Sequence, residues 1–422
     1  MNPISRRGLL KGALATGAAA AGSRLGGPWI GEAEAATEPS HFVHIFFHGG
    51  LNAFFAGCAQ QLRGRFGVTD SNIKAVGNGV FTDAETFGTF PQFALDHWAG
   101  IGLRHGDANH TVPENRNGGG EMAIVRNGSN CYLAELAAAM GGDSAFKAVL
   151  FGRRSQDYGV FQRWPAVGGV SLQRISNIKD ALNAVGAAKP DPNAPDRGRL
   201  AATLAAGKEI SERQLTTNPG RLASLSAAYD AAITQLGKPA PPPVTFDEVD
   251  KAYNLGGRSA IVPGQATSFA AQLAGAEIMI RAANTNVIHI TDFEPMWDFD
   301  ANVNGQRSRE TFLGRYRSWG LYSRVAPIRT FLDRMLNFPG KNVVVAISGE
   351  FVRELNGHGH GAGVVAAVFG KNIKRGLSFP VNSQAKFVAG TPGSKGFWAA
   401  MATALRVNGQ PFGPNPHSAL IT

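Results

Sequence analysis

Asn342-Val343-Val344-Val345-Ala346-Ile347-Ser348 decides the fold, and it runs directly into Gly349-Glu350-Phe351. A near-continuous apolar, largely β-branched run, unbroken from Val343 to Ile347, marks a strand covered on both sides. Strands of that kind belong to parallel sheets packed between helices. Working outward, His41-Phe42-Val43-His44-Ile45-Phe46-Phe47 reads as a second such strand and breaks at His48-Gly49-Gly50. Val287 to Thr291 and Val364 to Phe369 read as two more, and Ala148 to Gly152 as a short fifth. Helical spacing covers Tyr132 to Met140, Ala266 to Ala283, Gly396 to Ala404, and a long helix or a pair from Glu310 to Leu336. Strands alternating with helices predict an α/β fold with a mainly parallel sheet flanked by helices. Residues 52–130 carry little periodicity and predict long loops with short elements. Residues from about 172 to 245 predict a helical insertion, ending near the stiff Pro239-Ala240-Pro241-Pro242-Pro243.

The chain begins Met1-Asn2-Pro3-Ile4-Ser5-Arg6-Arg7-Gly8-Leu9-Leu10-Lys11. Adjacent Arg6 and Arg7, the mild Ala/Gly-rich stretch to Ala21, and Ala33-Glu34-Ala35 together predict a twin-arginine signal peptide over residues 1–36. The apolar stretch is too short to span a bilayer, so no stable membrane span is expected. Such a signal is an address read by the twin-arginine translocase, and it predicts a periplasmic or secreted protein. The remaining residues, 37–422, are expected to form a single large domain. The chain carries a net +10 with 44% hydrophobic and 17% charged residues. That surplus suits an anionic envelope polymer or an anionic ester substrate. No basic run interleaved with aromatics occurs, so no nucleic-acid partner is expected. Cys58 and Cys131 are the only cysteines, and in an oxidising compartment they either form one disulfide or stay as two buried thiols.

In open α/β sheets, ligands bind beyond the carboxyl ends of the strands. The residues just after each strand are therefore informative. The first strand leads into His48-Gly49-Gly50-Leu51-Asn52, the 287–291 strand into Asp292 through Asp300, and the 342–348 strand into Gly349-Glu350 and Gly357-His358-Gly359-His360-Gly361. His358 and His360, spaced by glycine, can approach one cation or one oxyanion, or form a solvated loop. Asp298 and Asp300 can supply hard oxygen ligands or a general base, or sit in an acidic turn or at a helix N-cap. His48 and Asn52 can line the same mouth; a structural histidine and an Asx-turn are the plainer alternatives. The loop Arg104 to His110 adds Asn109 and His110 as candidates. Ser129, in Asn127-Gly128-Ser129-Asn130 before a predicted helix, reads better as an N-cap than as a nucleophile. No G-x-S-x-G elbow, P-loop or post-strand dinucleotide fingerprint occurs.

Several of these segments, in this order, resemble one family. Phe42 to Asn52 resembles an apolar strand ending Gly-Gly-x-Asp-Gly-x-Asn. Trp297-Asp298-Phe299-Asp300 resembles Trp-Asp-Thr-His. Ser348-Gly349-Glu350-Phe351-Val352-Arg353 resembles Ser-Glu-Phe-Gly-Arg, and Gly357 to Gly361 resembles Asp-His-Gly-His-Gly. With the export signal, these anchors are similar to the twin-arginine-exported family "domain of unknown function 1501", itself similar to the alkaline phosphatase/sulfatase superfamily. Leu51-Asn52 stands where the family has its first Asp, Asp300 where it has His, and Gly357 where it has Asp; Gly349 is an insertion.

The resemblance implies an alkaline phosphatase-like fold. It also implies a metal-assisted phosphate or sulfate ester hydrolase, with Asp298, Asp300 and His110 as catalytic residues. His48, Asn52, Asp298, Asp300, His358 and His360 would be ligands to a divalent zinc, calcium or magnesium ion. The altered ligand types leave a second expectation open: a metal-free, non-catalytic periplasmic or secreted binding protein. The export route alone also admits a redox enzyme with a preloaded cofactor.

Overall fold

The computed structural model describes residues 38–109, 119–142, 144, 146–152, 166–185, 197–214, 244–262, 266–292, 309, 313, 324–355 and 359–422. Twelve strands and nine helices lie among them. The strands are β1 Ser40–Phe47, β2 Ile73–Gly77, β3 Val80–Asp83, β4 Trp98–Leu103, β5 Arg126–Asn127, β6 Asn130–Cys131, β7 Ala148–Phe151, β8 Leu172–Arg174, β9 Val287–Asp292, β10 Asn342–Gly349, β11 Val364–Phe369 and β12 Gly376–Ser378. The helices are α1 Gln92–Asp96, α2 Gly120–Val125, α3 Tyr132–Met140, α4 Ile178–Ala184, α5 Arg197–Gln214, α6 Phe246–Tyr253, α7 Ala266–Ala283, α8 Val325–Met335 and α9 Ser394–Ala404. No described helix is long and apolar enough to cross a membrane.

Eight strands form one sheet in the order β12-β4-β11-β10-β1-β9-β7-β8. Every neighbouring pair is parallel except β10·β11 and β11·β4, so β11 alone runs against the rest. The expected α/β class and mainly parallel sheet are what the chain forms. β1 lies between β9 and β10, and its register puts Phe47 beside both Asp292 and Gly349. Three strand ends therefore reach one level and form one mouth, at which Asp292, His48 and Glu350 stand.

Helices cover both faces. The face bearing Phe47 packs on α7, where Phe47 and Phe269 ring centres lie 6.0 Å apart. A Cβ on Gly275 would come within 2.7 Å of the Phe151 ring, so α7 meets β7 through bare backbone. The opposite face bears Phe42, His44 and Phe46 and packs on α9, with Phe42 and Trp398 edge to face at 5.7 Å. Trp398 also stacks on Tyr132 of α3 and donates its indole N–H to Ile124 O of α2. Glu248, Glu277, Arg281 and Arg334 join α6, α7 and α8 in one ion-pair network.

Three details go beyond the sequence-based expectation and concern short or glycine-bearing elements. The region expected to hold long loops with short elements contributes β4, which pairs with both β11 and β12 inside the sheet. The same region holds the β2–β3 hairpin, whose turn Gly77-Asn78-Gly79 has positive φ throughout. The segment expected to be a helical insertion opens with β8, a parallel edge strand, before α4 and α5. None of the described α5 side chains is buried.

β4 depends on its glycines. A Cβ on Gly102 would fall 1.9 Å from Phe379 O, and one on Gly100 would fall 2.6 Å from Ala56 O. Backbone cannot yield as a side-chain tip can. Gly102→Ala is expected to cost roughly 1–3 kcal/mol of overpacking strain. Urea denaturation measures it, and an unchanged midpoint would contradict the tight backbone contact.

Candidate functional site

The mouth is built by backbone first. Gly49 and Gly50 take φ of 92° and 106°, which lets the chain turn back across β10. A Cβ on Gly50 would sit 3.0 Å from Phe351 O, and one on Gly349 would sit 2.4 Å from the Gly50 carbonyl carbon. Leu51 N–H donates to Phe351 O at 3.1 Å and fixes the crossing. Gly349 is thus the residue that permits this close approach.

Glu350 is the buried acid of the mouth. One carboxylate oxygen accepts Gly49 N–H at 3.1 Å, and the other lies 3.4 Å from His48 Nε2. The His48 side chain keeps 18% of its surface exposed, whereas that of Glu350 has none. An imidazole backed by a buried carboxylate is the arrangement of an oriented base; here Nε2 faces Glu350, and the other ring nitrogen, Nδ1, is itself buried. In the sequence, Glu350 stands out only as part of a motif, with no sign of this role.

Asn52 is 2% exposed and points its Oδ1 at Phe54 N–H, at 3.4 Å. That is the Asx-type local bond. Its Nδ2 is buried with no acceptor among the described residues. An amide presenting N–H groups suits an anionic oxygen better than a metal ion. Arg353 is 3% exposed, and its guanidinium carbon sits 5.5 Å above the Phe351 ring. Burial lowers its pKa to about 10, so it stays cationic at neutral pH.

His360 stacks on the other side of this cluster, 3.9 Å from the Phe351 ring centre. Its Nδ1 lies 2.8 Å from Ala108 O and so carries the proton. Nε2 is then the lone-pair nitrogen, the orientation that metal-binding histidines adopt. His105 has a different function. Its Nε2 donates to Glu350 O at 2.6 Å, while its Nδ1 accepts Asp107 N–H at 3.2 Å. Burial lowers its pKa, and the imidazole acts as a neutral brace.

Asp107 accepts from Asn109 N–H, Asn109 Nδ2 and Gly119 N–H. Burial works to raise its pKa, and these hydrogen bonds outweigh that and lower it. Asn109, a candidate for binding, thus helps to close a loop. Asp292 at the end of β9 is held by Arg324 in a buried two-point pair, at 2.6 and 3.0 Å.

Of the expected metal ligands, His48 pairs with Glu350 and His360 stacks on Phe351, whereas the bond that Asn52 makes is the local one to Phe54. Asp298, Asp300, His110 and His358 lie outside the described residues, as do Arg6 and Arg7. Among the described residues, no group of three or more His, Cys, Asp or Glu side chains is placed to hold a metal ion. One expectation needs correction: Ser129 is exposed in the β5–β6 turn, and Cys131 occupies the N-cap of α3 without a side-chain cap bond. Of the two alternatives for Cys58 and Cys131, the chain has two free, buried thiols, and burial pushes both up to about 12.

Sequence reading also misses a polar line inside the core, made by Glu121, His289, His44 and Ser348. The signal is present: Val43-His44-Ile45 and Ile288-His289-Ile290 each set a histidine within an apolar strand. No protein-family model matches the chain, and neither a curated protein nor a solved structure matches it.

Buried histidines make the fold acid-sensitive. Burial lowers His41 to about 3 and His417 to about 4, and holds His44 well below its usual 6.5. The unfolded chain takes up these protons first as pH falls. Stability is therefore full above about pH 6.5 and drops as pH falls toward the folded values. Each fully shifted histidine accounts for roughly 1 kcal/mol per pH unit. Denaturant midpoints are expected to hold from pH 7.5 to about 6.5 and to fall from there to pH 5; a profile flat down to pH 5 would contradict the neutral, buried assignment.

Proposed function

We propose that the chain is an exported hydrolase acting on phosphate or sulfate esters, delivered by the twin-arginine translocase to the periplasm or beyond. The observation that carries this reading is the gathering on Gly349–Arg353 of His48 with its Glu350 partner and of His360 on the Phe351 ring, with Arg353 buried beside that ring and Asn52 next to the Leu51 that bonds Phe351 O. In the reaction, the ester's anionic group lies against Asn52 Nδ2 and the Arg353 guanidinium, a neutral and a cationic hydrogen-bond donor. His48, steadied by Glu350, takes the proton from the attacking water and returns it to the leaving oxygen. The motif resemblance supports the same substrate class.

A divalent metal fits the described residues only in part. His360 is turned correctly, but Asn52 presents N–H groups and Asp292 is tied to Arg324. A zinc, calcium or magnesium ion would draw on His360 with Asp298, Asp300 and His358, and would activate water and polarise the ester. Proton transfer by His48 does not depend on it. The second reading, a non-catalytic binding protein for an anionic envelope polymer, is favoured by the same internal pairing of Asp292 and Glu350.

Purified protein is assayed on chromogenic phosphate and sulfate esters, with and without added zinc, magnesium or calcium. His48→Ala is expected to lower kcat/KM by about 100-fold or more while circular dichroism stays unchanged. No turnover under any condition, together with retention on a sulfated polymer that Arg353→Met weakens, would replace hydrolysis with the binding reading. Export is tested separately. The protein recovered from the periplasm should begin near residue 36 or 37, and replacing Arg6 and Arg7 by Lys should leave the precursor in the cytoplasm.

A further inference from the structure

A continuous hydrogen-bonded line crosses the three central strands just beneath the mouth. Glu121 of α2 is fully buried, and its Oε1 meets His289 Nε2 at 2.7 Å and Thr291 Oγ1 at 3.2 Å. His289 Nδ1 lies 3.1 Å from His44 Nδ1. His44 Nε2 lies 2.7 Å from Ser348 Oγ. The line thus starts on α2 and joins β9, β1 and β10. Those strands lead into Asp292, His48 and Glu350 respectively.

With Glu121 ionised and both imidazoles neutral, the protons have one order. A carboxylate only accepts, so His289 carries its proton on Nε2. His289 Nδ1 must then accept, which puts the His44 proton on Nδ1. His44 Nε2 accepts in turn from the Ser348 hydroxyl. Every bond in the line is satisfied by this order. Burial and the neighbouring His289 hold His44 neutral, against the pull of Glu121.

The same helix touches the mouth directly. A Cβ on Gly120 would fall 2.4 Å from Glu350 O and 2.6 Å from its Cα, so the start of α2 abuts the Glu350 backbone. Ser348 is two residues before Glu350 on β10. α2 therefore grips the Glu350 segment at two points, by contact at Gly120 and through the relay at Ser348.

We propose that Glu121, His289, His44 and Ser348 are positioning residues: a proton-ordered relay that sets the three strand ends and thereby holds Glu350 against His48. This rests on the reading of His48 and Glu350 as the base pair of the mouth. None of the four touches substrate.

The polarity of the relay supplies the test. Glu121→Leu removes the acceptor at its head. Glu121→Gln keeps an amide oxygen that accepts from His289 Nε2–H, and so leaves the order of the line in place. Imidazole nitrogen NMR should show His44 with its proton on Nδ1 both in the unaltered protein and in Glu121→Gln. Glu121→Leu should move the His48 ring resonances and lower kcat about tenfold or more with little change in KM, the scale typical of residues that orient a catalytic group. Glu121→Gln should restore both. Ser348→Ala, which cuts the far end with little change of volume, should displace the same His48 resonances. It serves as the test should Glu121→Leu fail to fold.

His48 resonances and kcat unmoved in folded Glu121→Leu, or in Ser348→Ala, would overturn the proposal, whatever happens to Tm. A His44 proton on Nε2 in the unaltered protein would overturn the assigned order. Absence of ester hydrolysis in the unaltered protein is a different failure: it removes the proposed reaction, while the His48 resonances still judge the relay.

Discussion

The parallel register of β1 between β9 and β10 is the constraint on which the rest depends. It places Phe47 level with Asp292 and Gly349, and so delivers His48, Asp292 and Glu350 to one edge of the sheet. A slip of one residue would turn every side chain of β1 to the other face. His44 would leave the relay, and Phe47 would leave α7. The register is held by two unlike forces. On one face it is apolar packing against α7; on the other it is a polar line whose bonds have fixed partners. Packing tolerates small shifts, but a line of bonds at 2.7–3.1 Å does not.

The electrostatics of the mouth come from burial. Charged groups brought there from water are costly unless paired. Asp292 has Arg324, and Glu350 has His48 and the Gly49 N–H. These pairings make the site rigid before any ligand arrives. They also leave Asp292 and Glu350 poorly placed to bind a metal ion. Arg353 is held near the Phe351 ring, where the aromatic face contributes without neutralising its charge.

Much of the fold was legible because long apolar strands and helices with strong periodicity advertise themselves. β1, β9, β10, β11, α3, α7 and α9 lie where their patterns put them. β4 was hidden by Gly100 and Gly102, which read as loop residues but serve close backbone approach. β8 and β12 are three residues each, too short to carry a pattern. The β2–β3 hairpin did leave a mark in Asn78-Gly79, the dipeptide favoured in tight hairpins. The site was legible in location and less so in role. Strand ends pointed to His48, Asn52 and His360, but only packing shows that Asn52 turns its oxygen away and that His105 is a brace. Glu121 was invisible because its partners lie more than 160 residues away in sequence.

The centre of the sheet is the part of the chain made first and finished last. β1 leaves the ribosome early, yet His44 waits for His289, 245 residues on, and for Ser348, 304 residues on. Until both arrive, an apolar strand stands with two open edges, the condition that invites misassociation during synthesis. A protein of this topology gains from a compartment with chaperones in which to complete its sheet, and loses if threaded through a membrane as an unfolded chain.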